Sequence, residues 1–174
     1  MSGTIDTWAP DRLARLLGLA AIVTAFTLDQ TTKLIALGTL EHGVVQSVLP
    51  VFDMRLSFNR GVSFSLLAET FADHPQALAG ISLAIAALLA FLLIRSISRW
   101  ETVAFGLMIG GALGNALDRL RHGAVVDFLD FHVGNYHWPT FNLADTAIVF
   151  GVMLLIARAF LDRSSYNKSK EHPS

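Results

Sequence analysis

The chain has 174 residues, of which 53% are hydrophobic and only 16% charged, and its mean hydropathy is +0.52. A soluble domain carries about 25% charged residues, so neither a soluble globule nor a disordered chain fits. The net charge of −1 offers no basic surface for nucleic acid, and the absence of cysteine excludes disulfides, thiolate nucleophiles and thiolate-bound metals. What remains is a small integral membrane protein, residues 1–174 forming one membrane domain.

Four apolar stretches are expected to span the bilayer, over approximately 13–29, 76–94, 102–118 and 141–160. Arg12 and Arg15 precede the first, as in a cleavable signal peptide. Thr27-Leu28-Asp29-Gln30 offers no small-x-small cleavage site, however, so this run reads as a retained helix. An even number of spans puts both termini on one side. Eight Lys and Arg residues fall on the side of the termini and five on the other, which assigns the termini to the cytoplasm. The polar tail over 164–174 lies beyond the last span.

The outward connections carry patterns of their own, over approximately 40–74 and 119–140. Phe52, Met54, Leu56 and Phe58 alternate with Asp53, Arg55, Ser57 and Asn59, the period-2 signature of a half-buried strand. Phe64, Leu67, Ala68 and Phe71 then repeat at helical spacing, as in an amphipathic helix lying in the lipid interface. In the second connection an extended segment puts Val125, Asp127, Leu129 and Phe131 on one face, with Asp130 opposite and nearer water. Within the third span, Gly106, Gly110 and Gly114 follow the small-xxx-small pattern of close helix packing.

Ionisable residues at membrane depth are functional candidates by default. Asp29 and Lys33, four apart, suit a local ion pair closing the first helix. Asp118 and Arg119 end the third helix, as a structural pair or as substrate contacts. Asp145 stands in the first turn of the fourth helix, where the dipole favours an acid and helix capping is one reading. Neither it nor Asp127 has a cation adjacent in sequence. Two close carboxyl groups sharing one proton could activate water, the ionised member taking its proton and the protonated member polarising a carbonyl. Proton- or cation-coupled transport and a purely structural role stay open on the same residues. A Ser–Lys pair of Ser63 or Ser65 with Lys33, and a metal site on His122, His132 and His137, have no supporting motif.

Four blocks in order resemble bacterial lipoprotein signal peptidase, the signal peptidase II family of aspartyl peptidases. They are Leu28-Asp29-Gln30-Thr31-Thr32-Lys33, Phe58-Asn59-Arg60-Gly61-Val62-Ser63-Phe64-Ser65, the run from Gly110 to Arg119 continuing to Gly123-Ala124-Val125-Val126-Asp127-Phe128, and Phe141-Asn142-Leu143-Ala144-Asp145. The resemblance covers roughly residues 13–160; Val62-Ser63 departs mildly, since many members carry two alanines there. It implies an all-α integral membrane protein with four transmembrane helices, a small outward-side β-cradle and an interfacial amphipathic helix. It implies an endopeptidase that removes the signal peptide from diacylglyceryl-modified prolipoproteins, before the lipidated cysteine. Asp127 and Asp145 match the family's catalytic aspartates. Asn59, Gly61, Asn115, Asp118, Arg119, Asn142, Ala144, Asp29 and Lys33 match residues that bind substrate or support the site. No metal or organic cofactor is implied. The expected partners are lipidated prolipoproteins and membrane lipid, the expected state is a monomer, and the expected place is the bacterial inner membrane with the site near its outer face. The runner-up is a small proton-coupled transporter using the two aspartates as a relay.

Overall fold

The computed structural model of the chain describes residues 12–61 and 74–171, with side chains to residue 162. The order of elements is α1 (Arg12–Thr39), β1 (Val45–Leu49), β2 (Phe52–Asn59), α2 (Pro75–Arg95), α3 (Arg99–His122), β3 (Val125–Val133), β4 (Tyr136–His137) and α4 (Leu143–Glu171). The expected interfacial helix over Phe64–Phe71 lies outside the described residues.

α3 outruns its apolar stretch because its ends are set by capping rather than by hydropathy. Ser98 accepts the Glu101 N–H and starts α3 a turn before Thr102. Gly123, at φ 69°, ends it a turn beyond Asp118 and returns its N–H to the Arg119 carbonyl. Pro75 opens α2, where its missing N–H costs nothing. α1 differs most from expectation. It runs ten residues past Asp29, so the Asp29–Lys33 pair lies inside the helix and does not close it. Its extension packs Ala36 and Leu40 against Leu56, Val126 and Phe128, fastening the sheet to the bundle.

α1, α2 and α4, the last over Leu143–Asp162, are long and apolar enough to cross a membrane, and their outward faces expose residues such as Leu16, Leu88 and Val149. α3 packs against all three. Its buried side is made of small residues, including Ala104, Gly106, Gly110, Gly111 and Gly114. A Cβ on Gly106 would strike the Gly18 carbonyl, and one on Gly110 would sit 2.7 Å from the Ile22 carbonyl. The glycine stripe thus brings α3 backbone against α1 backbone, while Gly111 does the same against the Ala144 carbonyl of α4.

The strands form one antiparallel sheet in the order β1-β2-β3-β4. The expected strand Phe52–Phe58 is β2, but an irregular register between Met54 and Ser57 breaks its alternation. Asp53 is buried while Phe58 is exposed. Asp130 corrects the reading as well: it is fully buried, not turned toward water. It lies opposite Asp53 across the β2–β3 pairing. It is covered by Arg55 Nε at 3.3 Å and His137 Nδ1 at 2.9 Å, partners the isolated segment could not disclose.

Candidate active site

α4 opens with a capping box. Asn142 Oδ1 accepts the Asp145 N–H at 3.0 Å, and Asp145 Oδ2 accepts the Asn142 N–H at 3.3 Å. The Asn142 side chain also reaches β3, where Nδ2 donates to Asp127 Oδ1 at 2.6 Å. One asparagine therefore bonds both carboxylates. The second Asp127 oxygen accepts from Asn59 Nδ2 of β2 at 3.1 Å. Asn59 Oδ1 is itself pinned by the Gly61 N–H at 2.9 Å. Gly61 has φ +103°, and a Cβ there would meet Leu78 at 2.8 Å, so the turn requires glycine.

Behind this layer lies a buried ionic cluster. Lys33 Nζ bonds Asp29 Oδ2 at 2.9 Å, Asp118 Oδ2 at 2.8 Å and Asn115 Oδ1 at 3.1 Å, which uses all three of its N–H donors. With its oxygen held by Lys33, Asn115 turns Nδ2 to Asp145 Oδ1 at 2.8 Å. Gln30, whose role has no signature in the sequence, bridges Asp29 and Asp118 at 3.1 Å each. The two acids also take backbone donors, Asp29 from Ala144 N at 2.8 Å and Asp118 from Val126 N at 3.1 Å. Buried charges are tolerated only when so fully bonded. The result fastens the first turn of α4 and the start of β3 to α1 and α3. Asp29, Lys33, Asp118 and Ala144 are thus buried supports, at most 2% exposed, with no surface for substrate.

Asn59, Gly61, Asn115, Arg119 and Asp145 line a cavity of about 720 Å³ whose remaining wall includes Ile85, Leu89, Met108, Ile148 and Val149. A polar end and an apolar trough suit an amphipathic ligand. Trp138, Pro139, Thr140 and Phe141 close one side, a contribution invisible in sequence because it depends on β4 turning back on β3. Asp145 stands in the cavity wall, whereas Asp127 lies just behind it, 1% exposed. Burial first, and then the charge of Asp145, push the Asp127 carboxyl up from 3.8 to about 7, against the pull of the Asn59 and Asn142 N–H groups and Lys33. The arrangement provides a carboxyl that can hold a proton near neutral pH beside another that faces the cavity.

Among the described residues no group of three or more His, Asp or Glu side chains could hold a metal ion. His132 and His137 stack on each other at 5.0 Å and face Asp53 and Asp130. Ser63 and Ser65 lie outside the described residues, and Lys33 is fully engaged elsewhere.

Residues 21–161 match the family model described as signal peptidase (SPase) II. A lipoprotein signal peptidase of Paraburkholderia phymatum is 43% identical over 157 residues, covering 90% of this chain and 93% of that one. One from Burkholderia mallei is 41% identical over the same coverage. A bacterial membrane enzyme solved by the in meso method at 2.3 Å superposes with a TM-score of 0.71 at 29% identity, covering 88% of this chain and 90% of the other. A second, at 1.9 Å, gives 0.68 at 29% identity, with 84% and 92% covered. These relatives lend the proton-coupled transporter reading no support. On the extent of the family match and the identity of these relatives, the chain belongs to the signal peptidase II family of membrane aspartic peptidases.

Proposed function

We propose that Asp127 and Asp145 are the catalytic pair with which this membrane peptidase removes signal peptides from prolipoproteins. The observation that carries the reading is the placement of both carboxylates on one asparagine, Asn142, at the polar end of the cavity. Asp127, buried and titrating near neutrality, holds the shared proton. Asp145, in the cavity wall, is the ionised member that takes a proton from water. The hydroxide so formed attacks the scissile carbonyl while Asp127 donates to its oxygen. Proton return to the leaving nitrogen then breaks the C–N bond. Asn59, Asn115 and Asn142 keep N–H donors on both carboxylates throughout, and Arg119 is the cation facing the peptide.

The substrate reading is finer still: cleavage falls before a diacylglyceryl-modified cysteine. The apolar trough of Ile85, Leu89, Met108, Ile148 and Val149 supports it, since a lipid-bearing chain entering from the bilayer needs such a wall. α3 is taken as a fourth span. Its 24 residues cover about 36 Å at 1.5 Å each, and α1, α2 and α4 shield its small-residue faces from lipid. The enzyme is a monomer of the bacterial inner membrane, with both termini cytoplasmic and the site near the periplasmic face.

The test is cleavage of a lipidated prolipoprotein by purified protein. Asp127→Asn and Asp145→Asn should each lose at least about 100-fold while remaining folded, and chelators should leave the wild-type rate unchanged. A variant retaining more than about a hundredth of the rate removes its aspartate from the chemistry. Orientation is tested separately. Val44→Cys and Asn135→Cys should react with impermeant thiol reagents in intact spheroplasts and Lys168→Cys should not; the reverse pattern refutes it.

A further inference from the structure

From Ala77 to Ile94, α2 carries a single polar side chain, Ser82. A serine in an apolar helix satisfies itself by bonding the carbonyl one turn back, and Ser82 does so, its Oγ donating to the Leu78 carbonyl at 3.0 Å. Nothing further is needed for burial. Yet Ser82 stands on the cavity wall, and with its proton committed to Leu78 its oxygen accepts from Arg119 Nη1 of α3 at 3.3 Å.

Arg119 is weakly held for a guanidinium. Nη1 also reaches the Asn115 carbonyl at 3.4 Å, while its buried Nε has no hydrogen-bond partner among the described residues. The charges of Asp145, Asp127 and Asp118 all act on it, yet none comes within ion-pair distance of it among the described residues. A guanidinium left free beside a carboxylate forks onto it with two parallel N–H bonds. Forked onto Asp145, Arg119 would occupy the oxygens that must take the proton from water.

We propose that Ser82 is a positioning residue: together with the Asn115 carbonyl, its hydroxyl holds the Arg119 guanidinium in the cavity wall and off Asp145, leaving the remaining N–H groups to a peptide carbonyl of the substrate. The inference rests on the proposed place of Arg119 and Asp145 in the site.

The experiment is a double-mutant cycle on the full-length enzyme with a lipidated prolipoprotein, reading kcat and KM separately. Ser82→Ala and Ser82→Val should lower kcat about tenfold, the worth of one hydrogen bond to a charged group, with KM within about twofold and the unfolding temperature unchanged. Ser82→Thr, which keeps the hydroxyl, should restore kcat. In an Arg119→Gln background Ser82→Ala should change nothing further. Wild-type kcat in Ser82→Val, failure of threonine to rescue, or multiplicative losses in the double variant overturn the proposal. Wild-type turnover by Arg119→Gln overturns it together with the place of Arg119 in the site. The dyad stands or falls apart from this, on Asp127→Asn and Asp145→Asn.

Discussion

Asn59 offers the sharpest handle on the proton proposed to be shared by the two aspartates. Its Nδ2 donates to Asp127 Oδ2 at 3.1 Å, and this bond favours the ionised carboxylate, so it opposes the burial that raises the carboxyl to about 7. A hydrogen bond to a charged group exceeds one to a neutral group by about 1 kcal/mol or somewhat more, which is about one pH unit. In Asn59→Leu the Asp127 carboxyl should therefore hold its proton to about pH 8. With Asp127 as the proton holder, its ionisation is the alkaline limb of kcat/KM, and that limb should move up by about one unit. At pH 8 the wild type should keep about a tenth of its maximum and the variant about half of its own. Asn59 also pins the Gly61 turn, so the maximum rate will fall, but loss of that bond does not shift the limb. The assay is the initial rate of signal-peptide release at substrate far below KM, from pH 5 to 9. An alkaline limb that stays fixed or moves down would refute the assignment of the proton to Asp127.

Stability should carry the same signature. Between about pH 4 and 7 the native chain keeps the Asp127 proton and the unfolded chain does not. The unfolding temperature in detergent should therefore fall as pH rises through that window and level off above it, with this component lost in Asp127→Asn; at most about 1.4 kcal/mol per pH unit is involved. Gly111→Ala forces a Cβ against the Ala144 carbonyl and to 2.9 Å from Ile148. It should cost about 1–3 kcal/mol in stability and lower activity by displacing the first turn of α4; full activity would show that this turn has slack. Asp130→Asn should retain turnover but unfold earlier, since it weakens the pairing with Arg55 and His137; chemical inactivation in a folded variant would place Asp130 in the site.

The apolar runs of α1, α2 and α4 are legible because lipid demands hydropathy along their outer faces. α3 is legible as a helix but does not have the hydropathy of α1, α2 and α4, because it packs against all three and small residues suffice there. Its ends lie beyond the charged residues that bound the apolar run because Ser98 and Gly123 set them. The Asp29–Lys33 pair reads locally as a helix end because the groups that bury it within the bundle, Asp118 on Lys33 and the Ala144 amide on Asp29, come from 85 and 115 residues away. The burial of Asp130 is hidden for a similar reason: a period-2 argument sees one strand, while burial of that position is decided by β2 and β4. Asp127 and Asp145 stood out by lacking cations in sequence. Their bridge through Asn142, and the use of Asp145 for capping as well as for the cavity wall, belong to tertiary contact alone. Ser82 gave the faintest signal, one hydroxyl in an apolar run.

The reciprocal bonds between Asn142 and Asp145 have a consequence for the life history of the molecule. The same side chains wind the first turn of the last helix and aim the carboxylate, and Asn142 reaches Asp127 only when that helix has docked on β3. α4 follows every other described element along the chain. With Asp127 and Asp145 as the proposed dyad, a partly inserted chain has no assembled site, and hydrolytic competence arrives in the same step as completion of the bundle. The winding of one helical turn would then be the switch that turns the peptidase on.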